Sequence, residues 1–321
     1  MAESKRTFIA GKMNQDIDER MLPDGQYRSA TNITIEATGG SNMGAVQNAL
    51  GNERLFDVVA FLQARGFTVT GINTIGAVAH EPLSLIYWFV ASDTGFDGIF
   101  EYNQKSNTTS LILGSTTGQL GFDRVASITG VNYIQTEDGG FLLWTDGLNP
   151  PRKINISRVR TYSINDARIN IDINVILRPP LNSPKITLLK DSDNIESNNL
   201  EDKFLCFSYR YKYIDNEFSS MSPFSSVAFD ARDLSLDPNT GDNIGMLNKN
   251  NMVQVAFNTG NEFVKEIQIL ARDTRSLNVL IVETLNKTDE GFQDNVFRKF
   301  LFRNNKIYAT LPSDQVTRMF D

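Results

Sequence analysis

Along most of the chain, apolar positions fall in short runs separated by polar turns, the pattern of strand after strand. Between Gly71 and Leu177 the runs are Ile72 to Val78, Leu85 to Ala91, Ile99 to Asn103 and Ser110 to Leu113. Asp93-Thr94-Gly95, Asp97-Gly98 and Lys105-Ser106-Asn107 supply residues suited to the tight turns between them. A looser second set follows: Val125 to Thr129, Tyr133 to Thr136, a turn at Asp138-Gly139-Gly140, then Phe141 to Thr145. Short strands at hairpin spacing describe a β-meander of the propeller-blade kind, and about two or three such units fit here, fewer than a closed propeller needs. Helical periodicity is confined to Asn52 to Gly66, where Leu55, Phe56, Val58, Val59, Phe61 and Leu62 recur at three- and four-residue spacing and Gly66 stops the run.

Arg178-Pro179-Pro180-Leu181-Asn182-Ser183-Pro184 breaks any strand ladder and marks a linker. Beyond it the period becomes plainly two. In Phe204 to Tyr213, one face collects Leu205, Phe207, Tyr209, Tyr211 and Tyr213, while Ser208, Arg210 and Lys212 make the other face polar. Asp215-Asn216 turns the chain into Glu217 to Ser220, and Ser225 to Phe229 is the next candidate strand. Asp230 to Asn251 reads as an exposed loop, and Met252 to Phe257, Val264 to Arg272 and Val279 to Leu285 complete a module of immunoglobulin- or fibronectin-like size. Val296 to Leu301 and Lys306 to Thr310 are further strands. The expected fold is mainly β: a partial propeller-like meander with an inserted sandwich. The expected divisions are a docking segment at 1–50, a propeller-like domain at 51–180, a sandwich at 181–290, and an incomplete return to the propeller-like domain at 291–321.

Hydrophobic residues make up 40% of the chain, enough for a packed core. A formal net charge of -7 argues against a dedicated nucleic-acid binder, which needs cationic surface to displace phosphate counterions. The longest apolar run, Leu85 to Ala91, falls far short of a membrane span, and the first ten residues have no signal-peptide core. One cysteine, Cys206, leaves no disulfide framework or multi-cysteine zinc site, and one histidine, His80, removes most nucleophile-and-base schemes. His80 precedes Glu81-Pro82 and reads as a loop residue rather than a general base.

Catalytic constellations are poor. Asp16-Ile17-Asp18-Glu19 lacks the glycine and glutamate of an EF-hand loop and fits a solvated or salt-bridging segment better than a cation site. Asp237-Pro238-Asn239-Thr240-Gly241-Asp242 is more simply a loop tip. Gly39, Gly40 and Gly44 are followed by no P-loop lysine-serine pair. Asp146 has no evident carboxylate partner for glycosidase chemistry. Tyr209, Tyr211 and Tyr213 fit core packing better than a glycan platform. No catalytic, cofactor or metal site is expected.

Three segments carry a resemblance. Phe8 to Ile33, with its run Gly11-Lys12-Met13-Asn14-Gln15-Asp16-Ile17-Asp18-Glu19-Arg20-Met21-Leu22-Pro23-Asp24-Gly25-Gln26-Tyr27-Arg28, is similar to the amino-terminal signature of tail muzzle (nozzle) proteins of crAss-like and podovirus-type bacteriophages. Trp144 to Ile154 resembles a blade-end turn of those proteins, and Phe207 to Ser225 their inserted sandwich. The resemblance implies a structural protein located in the virion tail. It implies a homo-oligomeric ring, commonly a hexamer, around the channel through which the genome passes, in contact with other tail proteins. Proteins of this kind are usually longer, so the chain is expected to be a capsid-proximal part or a cleavage product. The residues expected to make contacts are Asn14, Asp16, Asp18, Arg20, Leu22, Tyr27 and Arg28, by backbone pairing and a few apolar anchors. Packing of the same segment on its own chain is an equal alternative. Two other readings remain: a glycan- or receptor-binding propeller and sandwich, and a polysaccharide-degrading propeller enzyme.

Overall fold

The computed structural model describes residues 10, 12–35, 46–49, 51, 54–137, 139–192, 197–230 and 233–317. The chain divides into two compact units, residues 1–67 and 68–321. It is mainly β, with 36% strand and 10% helix in several antiparallel sheets, none of them closed. Among the described residues, no helix is long and apolar enough to cross a membrane.

In the first unit, β1 (Lys12–Met13) pairs in parallel with β2 (Gln26–Tyr27), and β3 (Ile33–Ile35) pairs antiparallel with β4 (Val46–Asn48). One short helix, α1 (Val58–Gln63), is capped by Asp57, whose carboxylate accepts from the Ala60 N–H at 3.1 Å. The helical periodicity expected over 52–66 therefore yields less than two turns. Among the residues of this unit whose side chains are described, only Gly25 and Leu62 are buried.

The second unit opens with β5 (Asn73–His80), β6 (Leu85–Ala91), β7 (Asp97–Asn103) and β8 (Thr108–Ser115), an antiparallel meander in chain order. A three-stranded meander follows: β9 (Gly130–Ile134), β10 (Phe141–Thr145) and β11 (Arg152–Asn155). Their inward faces meet in one core, with Tyr87, Phe89, Ile99, Leu142, Trp144 and Ile154 at its centre. Two short helices, α2 (Ile156–Val159) and α3 (Ile169–Asp172), add Ile156, Val159 and Ile169 to it.

The turn before β8 forms as its residues suggest. The Asn103 side-chain oxygen accepts from the Lys105 and Ser106 N–H groups at 2.9 and 3.2 Å, and Asn107 takes φ 51°. Two other expectations fail. Asp97-Gly98 lies inside β7, not in a turn, because the reversal is completed by Gly95 at φ 82°. Val125 to Thr129 is not a strand; it meets the sheet through the Ile128 N–H, which donates to the Ile75 carbonyl at 2.7 Å, and the Ile128 side chain, which joins the core.

Burying Asp97 has a cost. Its side chain is 4% exposed, and desolvation pushes its carboxyl up to about 6 despite a hydrogen bond from the Phe122 N–H and the charge of Arg152. The folded state thus holds this proton more tightly than the unfolded chain. The penalty is absent below the ordinary carboxyl range, grows as pH rises toward 6, and is full above it. Asp97→Asn is therefore expected to stabilise the protein by about 1–3 kcal/mol at pH 7.5 and to be neutral near pH 4. Denaturant midpoints of both proteins across that range test it, and a destabilised variant at pH 7.5 would contradict it.

The remaining strands form a second pair of sheets. One is β12 (Lys185–Leu189), β14 (Met252–Asn258) and β17 (Phe297–Phe302), ordered β12-β14-β17. The other is β13 (Leu205–Tyr213), β15 (Val264–Asp273), β16 (Leu280–Asn286) and β18 (Ala309–Thr310), ordered β13-β15-β16-β18. Phe207, Tyr209 and Ile267 from one sheet share a core with Val255, Phe257 and Phe302 from the other. A short helix, α4 (Ser313–Thr317), ends the described chain. Among the described residues of 291–317, the strands join the second sheet pair rather than the first: β17 pairs with β14 and β18 with β16. The alternation of Phe300 and Phe302 explains this, since both point into the second core.

β13 is buried on both faces, with Ser208 fully buried and Arg210 3% exposed. Its free edge is covered by a segment that the sequence pattern casts as a turn and a separate strand. Ser219, Ser222 and Ser225 advance three residues for every two of β13. Their N–H groups donate to the carbonyls of Tyr211, Tyr209 and Phe207 at 2.9, 2.8 and 2.7 Å. Their hydroxyls accept from the N–H groups of the same three residues at 3.1, 3.1 and 3.0 Å. Each serine side chain thus stands in for a backbone carbonyl, and an irregular chain satisfies a regular edge.

Candidate docking segment

The segment from Lys12 to Arg28 is a loop tied at its ends. Besides the β1–β2 pairing, the Asn14 N–H donates to the Tyr27 carbonyl at 2.9 Å and the Ala10 N–H to the Gly25 carbonyl at 3.1 Å. The Asn14 side-chain amide donates to Gln26 Oε1 at 3.1 Å, fixing the same junction. Pro23-Asp24-Gly25 is a turn, closed by the Gln26 N–H on the Pro23 carbonyl at 3.1 Å. Gly25 has φ 92°, and a Cβ there would lie 3.1 Å from the Ala10 nitrogen, so glycine answers both demands. Asp18 opens a 3₁₀ turn at Glu19–Met21, its carboxylate accepting from the Arg20 N–H at 2.9 Å.

Of the seven expected contact residues, Asn14 and Tyr27 meet at the tie and are half-buried, as is Leu22. Asp16, Asp18, Arg20 and Arg28 are exposed on the loop. Asp16 and Arg28 form no ion pair with any described residue. Met13 and Met21 add apolar surface at 49% and 75% exposure. The loop presents acids and thioethers outward on a backbone tied by hydrogen bonds at its ends.

The residues weighed for other chemistry are occupied structurally. The Asp146 carboxylate accepts from the Leu148 and Asn149 N–H groups at 3.0 and 2.7 Å and from the Asn149 amide at 2.7 Å. Burial alone would raise it, but these bonds and Arg152 hold it below the usual carboxylate range. Asn149 and Arg152 carry the network onward to the Gly121 and Leu120 carbonyls. Asp146 is a turn organiser. His80 is not in a loop but ends β5, half-buried, with its ring 4.4 Å from that of Tyr133. Tyr209, Tyr211 and Tyr213 are buried and offer no exposed aromatic surface. The Tyr213 hydroxyl, pushed up to about 12 by burial, donates to the Arg178 carbonyl at 2.7 Å and docks the proline-rich linker on the second core. Asp237 to Asp242 forms a loop tip with Gly241 at φ 76°. No cluster of three or more potential metal ligands occurs among the described residues.

An ionic clamp joins the two sheet pairs, and no sequence signal marked it. The Arg158 guanidinium, beside α3, bonds Asp172 through Nε at 2.8 Å and Nη2 at 2.5 Å. It also bonds Asp215, in the turn after β13, through Nη1 at 2.7 Å and Nη2 at 2.9 Å. Burial opposes the charge on Arg158, but the two carboxylates outweigh it and raise its affinity for the proton. The Tyr162 hydroxyl donates to Asp172 at 2.8 Å, and Lys153 of β11 bonds Glu217 nearby.

A family model described as Crassvirus muzzle protein matches residues 2–191, more than half of the chain. The match takes in the docking segment and the first sheet pair, and ends just past β12. No curated protein and no solved structure matches the chain.

Proposed function

The chain belongs to the Crassvirus muzzle protein family and is a structural component of the phage virion tail, and from that premise we propose that its copies form a ring, hexameric, around the channel through which the genome leaves. The observation that carries the reading is how little the described side chains of residues 1–67 bury: among them only Gly25 and Leu62 are buried. Described side chains that cover so little gain stability from a neighbour. In this reading Asn14, Asp16, Asp18, Arg20, Leu22, Tyr27 and Arg28 contact an adjoining tail component. The sheets of 73–155 serve as propeller-like blades completed by neighbours, and the facing sheets of 185–310 as an immunoglobulin-like sandwich. The division near residue 180 belongs to the same proposal. The net charge of -7 suits a channel wall, because like charge keeps passing DNA phosphates from sticking. The role is structural rather than enzymatic.

Incorporation into tails tests the docking role. Full-length chain carrying Leu22→Asp and Tyr27→Ala is expected to fold, with an unchanged circular dichroism spectrum, yet to be depleted from assembled particles. Normal incorporation of that variant would contradict the docking role.

A further inference from the structure

Val175, Ile176 and Leu177, where the chain leaves the first sheet pair, line a groove of about 620 Å³ together with Phe218 and Ser220 of the segment that covers the β13 edge. Gln315 of α4 stands at the same groove, its Oε1 accepting from the buried Arg210 guanidinium at 2.9 Å. Arg210 in turn lies 4.1 Å over the Phe218 ring, so α4 and the covering segment meet through one side chain. Ile176 is 74% exposed and gives the groove an apolar wall. The opposite side of α4 is packed. Val316 rests on the small cluster of Met221, Leu270, Val279 and Leu311, and so helps to hold the segment that carries Met221.

The sequence beyond α4 continues both of these sides. Ser313 to Phe320 contains no glycine or proline, and Val316, Met319 and Phe320 recur at helical spacing. Asp314 and Arg318 stand four apart with the acid first, the order that supports a helix. Residues four apart on a helix lie one above the other. Met319 would thus stand over Gln315, on the groove side, and Phe320 over Val316, on the cluster side. A long side chain on a helix also leans back toward the helix N-terminus, which for Met319 is the direction of Gln315.

We propose that α4 continues by one turn through Phe320 and that this turn is a latch. Met319 enters the groove against Ile176 and Phe218, while Phe320 extends the cluster beneath Val316. The occupant of the groove is therefore residues 318–320 of the same chain. A flexible, polarisable thioether suits an irregular groove floored by an aromatic ring. The latch fastens the segment that covers β13 to the chain leaving the first sheet pair, and it does not depend on the ring reading above.

Limited trypsin cleavage after Arg318 in the full-length chain, followed by mass spectrometry, tests the latch. Wild type is expected to resist at that bond. Ile176→Ser alters the groove and leaves the helix sequence intact, and it should be cut there about tenfold or more faster. Met319→Ser should behave like it. The pair Ile176→Cys/Met319→Cys, treated with a short bismaleimide, then identifies the occupant. A link within one chain is expected, with neither single-cysteine variant giving one. Equal cleavage of wild type and Ile176→Ser, no link, or a link between two copies would each overturn the latch.

Discussion

Replacing Arg158 with methionine is expected to destabilise the second unit by about 3–5 kcal/mol, the range for removing one partner of a buried ion pair. Two carboxylates depend on this guanidinium, Asp172 with 5% and Asp215 with 11% of its side chain exposed, and both would be left without their counter-charge. A methionine fills similar space and so separates the charge effect from a cavity effect. The loss falls on the joint between the sheet pairs, because Asp172 lies in α3 and Asp215 beyond β13. Calorimetry should therefore show one cooperative transition in wild type and two separated transitions in Arg158→Met. The triple change Arg158→Met/Asp172→Asn/Asp215→Asn removes all the orphaned charge and should recover most of the deficit. A loss under about 1 kcal/mol in the single variant would mean that the sheet pairs are held by apolar packing alone.

Removing the three serine hydroxyls that line β13 should cost about as much. Each of Ser219, Ser222 and Ser225 accepts from a β13 N–H group, and Ser222 also meets the Ser208 hydroxyl at 3.0 Å. Alanine at one of them leaves a buried donor unmet, at about 1–3 kcal/mol, and the triple variant is expected to lose about 3–6 kcal/mol. Hydrogen exchange separates this from general loosening. The Phe207, Tyr209 and Tyr211 amides should exchange far faster in the triple variant, while those of β14 hold. Unchanged protection at β13 would show that the backbone bonds of this edge suffice without the hydroxyls.

What could be read from the sequence was what period and turn chemistry encode. The alternation of Leu205, Phe207, Tyr209, Tyr211 and Tyr213 announced a strand facing the second core, and those side chains do line it. The Lys105-Ser106-Asn107 turn and the Pro23-Asp24-Gly25 turn were equally legible, because each carries residues that favour the backbone angles required. The serine edge was not. Its three-residue spacing does not match the two-residue period of a strand, and its meaning lies in the regular partner it runs beside. The Arg158 clamp was hidden for another reason: its carboxylates lie 14 and 57 residues away, beyond any local pattern. The β1–β2 pairing was likewise illegible, since two residues on each side carry no period. For the docking segment, exposure of Asp16, Asp18, Arg20 and Arg28 followed from their chemistry, whereas the hydrogen bond tying Asn14 to Tyr27 did not.

The most direct measurement is cryo-electron imaging of intact particles carrying this chain with a compact label near Leu277, an exposed position far from β17 in sequence. A symmetric ring of labels around the axis of the tail channel, each copy's residues 1–67 in contact with an adjoining subunit, is the expected result. Labels at isolated, asymmetric positions, or copies whose residues 1–67 touch nothing, would contradict it.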